Sequence, residues 1–486
     1  MDEKRENAGE TAHHRPLDVR RAGVLLHITS LPSAGDSSDG GGDPRPGDLG
    51  PEAYRFVDFL AAAGCTVWQV LPLVPTHEAD RSPYNALSAM AGSPELISSE
   101  LRAERGLTHP DELTQSRQAD FEDWCAQQGD WLGPYVEFMA LRDALGHEPW
   151  PTWEPRLRDR DPQRVAEVVE PGLVQALRFD QWVFDTQWAE LRAYAADKGV
   201  LIFGDLPIFV SHDSADVWAS RDLFELDAEG QPITVTGVPP DYFAVDGQRW
   251  NNPHYDWTAM AAEGFAWWRS RIARQRDLFD LVRIDHFRGF EAAWHVPIEA
   301  PSARDGSWVP GPGGELLAAL VETAGSGTLV AEDLGVITPA VEKLRLSFGL
   351  PGMKVLQFAF DGGSENAYLP EHHGELSVVY TGTHDHDTTL GWWSELPAEA
   401  RTQVRSSVPV ADEPMPWALI RLAMASTARL AVVPAQDLLS LGSETRMNTP
   451  GSDSGNWSWQ AAAGSFDAAL AELVRRLVEE SGRLPN

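Results

Sequence analysis

The chain has 486 residues, 43% of them hydrophobic, with 73 acidic against 39 basic residues and a net charge of −34. Such a surface repels nucleic acid and anionic lipid and favours neutral or cationic partners. No apolar run reaches the ~18–20 residues of a membrane span; residues 1–10 are charged and lack the apolar segment of a secretory signal, and two cysteines, Cys65 and Cys125, make no disulfide framework, so a reducing cytoplasm is the expected location.

Residues 1–20 read as a charged, disordered tail. Eight apolar runs follow, at 23–28, 67–71, 200–208, 281–285, 328–332, 353–360, 377–381 and 430–433. Each is rich in β-branched and aliphatic residues and reads as a strand buried on both faces. Amphipathic segments at 51–63, 265–279, 314–324, 339–348 and 417–428 read as helices, with Pro51 and Pro339 near helix starts. Strand–helix alternation with eight strands predicts an α/β fold, a parallel (β/α)8 TIM barrel. The expected organisation is a single catalytic domain over 21–486. Helical and loop insertions leave the carboxyl ends of strands two and three, over about 73–190 and 209–257. They are expected to shape a groove on the face where barrels build active sites. Of two polar, Gly-rich loops, 33–48 reads as a tolerated surface insertion and 448–456 as a candidate lid.

Acids stand at the carboxyl ends of several strands: Asp205, Asp285 and Glu332, with Asp385 shortly after the seventh. Arg283 lies two residues before Asp285, so both side chains share one face of the strand. An adjacent guanidinium lowers a carboxylate pKa and keeps it ionised, as a nucleophile requires; a purely structural Arg–Asp pair is the alternative. Glu332 follows Leu329-Val-Ala331, and apolar neighbours raise a carboxyl pKa, as a general acid requires. Asp333 is expected to cap the next helix. Two acids roughly 5–5.5 Å apart split a glycosidic bond with retention. Asp385 is flanked by His384 and His386, which leaves an oxygen-rich metal site on the strand ends as a rival reading. Trp250, Trp308, Trp457 and Trp459 lie in polar loops and suit either stacking on sugar rings or anchoring those loops. Phosphate-loop, dinucleotide-binding and Gly-x-Ser-x-Gly motifs are missing from the sequence.

Over about 20–480 the chain resembles the amylomaltases, 4-α-glucanotransferases related to the α-amylases. The resemblance rests on Gly23-Val-Leu-Leu-His-Ile-Thr-Ser-Leu-Pro32, Trp68-Gln-Val-Leu-Pro-Leu73, Ser82-Pro-Tyr84 and Gly204-Asp-Leu-Pro-Ile208. It continues through Gly237-Val-Pro-Pro-Asp-Tyr-Phe243, Gly247-Gln-Arg-Trp250, Val282-Arg-Ile-Asp-His-Phe-Arg-Gly-Phe290 and Ala331-Glu-Asp-Leu-Gly335. Val355-Leu-Gln-Phe358, Thr381-Gly-Thr-His-Asp385, Gln436-Asp437, Met447-Asn448 and Asn456-Trp457 complete it. It implies Asp285 as nucleophile, Glu332 as acid/base and Asp385 as a third acid binding sugar hydroxyls. Arg283, His384, Asp205 and Tyr84 are implied around the cleaved bond, with Trp250, Asn456 and Trp457 flanking the groove. The implied activity is retaining transfer of α-1,4-glucan segments to an acceptor 4-hydroxyl, with no metal, no organic cofactor and no C-terminal β domain. The nearest alternative is an α-glucan hydrolase on the same scaffold. The chain departs from the family pattern at His386, where asparagine is usual, and so is expected to alter the pH profile. It also departs at His77-Glu-Ala-Asp-Arg81, which replaces a Gly-Tyr-Gly-Asp, at Asn85 in place of glutamine, and in the longer, more acidic 33–48 loop.

Overall fold

A computed structural model describes residues 16–32, 46–240, 245–361, 363–410, 412–452 and 454–484. Eight parallel strands are present: β1 (Arg21–Leu25), β2 (Val67–Gln69), β3 (Leu201–Pro207), β4 (Leu281–Asp285), β5 (Leu329–Ala331), β6 (Gly352–Val355), β7 (Ser377–Tyr380) and β8 (Leu430–Pro434). They pair in the order β6-β7-β8-β1-β2-β3-β4-β5. The remaining seam is bridged where the Ala331 N–H donates to Pro351 O at 2.8 Å and the Met353 N–H to Asp333 Oδ1 at 2.7 Å. The predicted (β/α)8 barrel is the fold.

Period-two alternation fills both faces of the wall. Leu25, Phe203, Leu281, Val330, Val355, Tyr380 and Val432 pack inside the barrel. Their neighbours Val24, Ile202, Val282, Ala331, Val379 and Val433 join the outer core with Phe56, Leu60, Ile272, Leu316 and Leu320 of the surrounding helices. Gly204 lets the third strand approach the helix layer: a Cβ there would meet the Phe279 ring at 2.2 Å. The described chain starts ahead of β1 with Leu17 buried and Arg20 donating to the Ser481 carbonyl at 2.7 Å, so 16–20 dock on the barrel. The first fifteen residues of the expected tail, and 33–45 of the expected surface loop, lie outside the described residues.

Three local expectations change. The run read as a strand over 353–360 leaves the sheet at Val355 and turns through Leu356–Phe358, where the Gln357 amide donates to the Asp387 carbonyl at 2.8 Å. Asp333 caps no helix: it accepts from Met353 and pairs with Arg345 at 2.9 Å, tying β5 to β6, while Thr338 caps Pro339–Ser347. The connection after β3 contributes strands, Thr234–Val238 and Gln248–Pro253, to a four-stranded antiparallel sheet. Its other two strands, Ala292–Pro297 and Ser307–Pro310, come from the connection after β4, which was not read as an insertion. The last helix, Ala468–Glu480, packs on the first, Pro51–Ala62. Among the described residues no helix is long and apolar enough to cross a membrane.

Candidate active site

β4 is the spine of the site. Its register with β3 sets Asp205 opposite Arg283 and Pro207 opposite Asp285. Arg283 is buried and divides its guanidinium, donating Nη1 to Asp205 Oδ2 at 2.5 Å and Nη2 to Asp285 Oδ1 at 2.7 Å. Tyr84, carried in after β2, donates its hydroxyl to the same Asp205 oxygen at 2.8 Å. On the other side of β4, Ala331 lies opposite Ile284, and the Glu332 N–H donates to Ile284 O at 3.0 Å. The Glu332 carboxylate accepts the His286 and Leu334 N–H groups, both at 2.7 Å. His286, at φ 51°, turns the chain left-handed directly after Asp285, and that turn delivers its N–H to Glu332.

The facing wall comes from the loops after β7 and β8. Asp385 Oδ1 accepts the Asn448 amide at 2.6 Å, and Oδ2 lies 3.3 Å from His384 Nε2. Arg446 donates to the Asp385 and Asn448 carbonyls at 2.7 Å each. The Tyr84 ring stacks on His384 at 5.1 Å and 11°, with Trp457 tilted against both. Trp250 stands edge-on to His286 at 4.8 Å. All the predicted site residues except Asp205 line one groove of about 950 Å³; Asp205 lies beneath Tyr84 and Arg283. Trp308 also lines it, with the Arg288 guanidinium 3.7 Å from its ring centroid, whereas Trp459 packs against the barrel core. Asn456 lines the groove but spends its side chain inside its own loop, accepting from Thr449 N and donating to Ser452 O at 2.9 Å each.

The electrostatics differ from the sequence reading at two positions. Burial pushes the Asp285 carboxyl up, to about 8; Arg283 opposes this, and Asp205, Glu332 and Asp385 add to it. The guanidinium is shared with Asp205 and so does not keep Asp285 in the usual carboxylate range. The Asp285 side chain retains 27% of its surface, so solvent in the groove tempers the rise. Burial also raises Glu332, against Arg283 and the two backbone donors. Burial acts upward on Asp385 as well, but His384, the Asn448 amide and Arg283 outweigh it and hold that carboxyl below its usual range. The second difference is His386: burial drives it down to about 4, its Nδ1 lies 2.8 Å from the Thr383 hydroxyl, and it stays neutral near pH 7. Among the described residues no group of three or more His, Cys, Asp or Glu is arranged to hold a metal ion. The centre of the acid cluster is already filled by the Arg283 cation.

A family model described as 4-alpha-glucanotransferase matches residues 26–115 and 105–464. The 4-alpha-glucanotransferase of Thermus thermophilus is 44% identical over 96% of this chain and 100% of its own length. This chain belongs to the 4-alpha-glucanotransferase family. The chloroplastic/amyloplastic 4-alpha-glucanotransferase of Solanum tuberosum is 41% identical over 96% of this chain and 87% of its own. Among solved structures, the amylomaltase from Streptococcus agalactiae in complex with acarbose is similar with a TM-score of 0.89 and 32% identity, covering 96% of this chain and 99% of that one.

In this member of the family, sequence reasoning found Arg283 and His384 but passed over other groups that hold the acids. Asn448 and Arg446 grip Asp385, and the His286 backbone grips Glu332. Asn448 stood in a quoted motif, Met447-Asn448, but an asparagine in a polar loop carries no chemical signal of its own.

Proposed function

We infer that this 4-α-glucanotransferase moves α-1,4-glucan segments to the 4-hydroxyl of an acceptor glucan or glucose, with retention, through a covalent glucosyl-enzyme. The supporting observation is the joint hold on the two strand-end acids: Arg283 binds Asp285, and the very next backbone N–H binds Glu332. Glu332 protonates the leaving 4-oxygen while Asp285 attacks the anomeric carbon. Arg283 occupies Asp285 Oδ1, which leaves the second oxygen for the attack. Glu332, now ionised, takes the proton of the incoming 4-hydroxyl, and that oxygen displaces the Asp285 carboxylate. Asp385, kept ionised by His384 and Asn448, accepts hydrogen bonds from hydroxyls of the distorted ring. Asp205 fixes Arg283 from beneath and is held in turn by the Tyr84 hydroxyl; Tyr84, His384, Trp250, Asn456 and Trp457 form the walls against which the glucan lies.

Transfer outruns hydrolysis when the acceptor is held against the intermediate, an advantage on the order of 7–11 kcal/mol when orientation is complete. The aromatic walls do that holding. Free cysteines, Cys65 buried and Cys125 half-buried, suit a reducing cytoplasm. Incubation with maltotriose tests the reading: glucose together with chains longer than the substrate is the expected product pattern. Maltose and glucose alone would make the protein a hydrolase.

A further inference from the structure

Asp437 is a buried carboxylate in the short helix Ala435–Leu438 after β8, and it does not line the groove. Its oxygens are taken by three donors of one neighbouring loop. The Thr381 hydroxyl donates to Oδ2 at 2.6 Å, the Thr389 hydroxyl to the same oxygen at 2.6 Å, and the Thr389 N–H to Oδ1 at 2.7 Å. Both threonines are fully buried. They bracket the segment that leaves β7 and carries His384, Asp385 and His386. Burial pushes the Asp437 carboxyl up; Thr381 and Thr389 pull it back, and the nearby charge of Asp387 pushes it up again.

An ionised carboxylate in such a place is costly when hydroxyl and amide donors are its only listeners. Filling the space between β7 and β8 needs only a neutral side chain. What a carboxylate adds is geometry: one oxygen draws the two ends of the 381–389 segment to a single point. Between those ends the Asp385 carboxylate meets the Asn448 amide and His384, the Asp385 N–H donates to the Thr383 hydroxyl, and Arg446 takes the Asp385 carbonyl.

We propose that Asp437 is a positioning residue for the transfer reaction, clamping the ends of the 381–389 loop so that Asp385 meets the transition state in register. The inference rests on the role assigned above to Asp385. It predicts an effect on turnover more than on substrate binding, because Asp437, Thr381 and Thr389 do not themselves line the groove and the residue they position acts on the distorted ring.

The test is steady-state transfer from maltotriose by the full chain as wild type, Asp437→Asn, Asp385→Asn and the double variant. Asp437→Asn is expected to lower kcat about 10- to 100-fold, with KM changed by less than about twofold. In the Asp385→Asn background, adding Asp437→Asn is expected to change the residual rate by less than about twofold. An equal loss in both backgrounds, or a raised KM at unchanged kcat, overturns the inference, since a purely structural role acts whether or not Asp385 is present. Wild-type transfer by Asp385→Asn alone overturns the reading beneath it, and the inference with it. Should Asp437→Asn not fold, Thr381→Val and Thr389→Val carry the same cycle with kcat losses of about tenfold each, and Thr389→Ser, which keeps the hydroxyl, restores kcat to within about twofold. Failure of Thr389→Ser to do so counts against the clamp.

Discussion

The two walls of the groove are built in different ways. Asp205, Arg283, Asp285 and Glu332 stand on or beside three adjacent strands whose backbone registers set their spacing, and one buried guanidinium joins two of them. His384, Asp385, Asn448 and Trp457 stand on loops, held by the Arg446 bond to a backbone carbonyl, the Asn448–Asp385 side-chain bond and ring contacts. Groups that make and break covalent bonds tolerate about 0.5 Å of error, which strands supply better than loops. Groups proposed to grip a ring as it distorts, and release it to the next acceptor, stand on the loop wall. Substitutions in the strand wall should therefore damage chemistry and stability together, and substitutions in the loop wall chemistry or binding alone.

The largest effect is expected from Asp285→Asn, which removes the proposed nucleophile and should lower transfer from maltotriose by roughly 10⁴-fold. A comparable loss from Asn448→Ala would erase the distinction between the walls. Arg283→Gln comes next. It leaves Asp205 and Asp285 buried without their cation and should destabilise the fold by about 3–5 kcal/mol, read by denaturant unfolding. The same variant sharpens the pH argument. In the wild type Asp285 must lose its proton to attack, so kcat/KM should fall as pH falls, along a limb lying above the ordinary carboxylate range because the folded carboxyl is raised. Arg283 pulls that carboxyl down, so its removal should move the limb to higher pH. The alkaline limb reports loss of the Glu332 proton. His386, already neutral, should add nothing near pH 7.

In the loop wall, Asn448→Ala should lower kcat about tenfold by freeing Asp385 Oδ1, while unfolding shifts little. Trp457→Ala should act least, raising KM about fivefold and increasing the hydrolysed fraction as water reaches the intermediate. A matching loss of stability in either variant would show that the loops, like the strands, carry the fold.

How much was readable along the chain follows the same division. Strand acids announce themselves because an apolar run ends on a charge, and the eight runs correspond to the eight barrel strands. The antiparallel sheet was unreadable since its strands, such as Ala292–Pro297, mix polar with apolar residues and find their partners across two separate connections. Arg446, Asn448 and Asp437 carried no local pattern: each acts through a loop about fifty residues or more away along the chain. Among the tryptophans, composition placed four in polar loops, and only packing separated Trp250, Trp308 and Trp457 at the groove from Trp459 against the core.

By itself the sequence determined the barrel, the strands that lead into Asp205, Asp285 and Glu332, and the family, because burial on both faces leaves apolar runs that depend only on neighbouring residues. Tertiary structure alone decided that Arg283 is divided between two carboxylates, that Asp285 rises instead of falling, and that Asp437 ties the Asp385 loop at both ends. Desolvation and charge coupling depend on distance in space, and the groups concerned are brought together by the closing of the sheet.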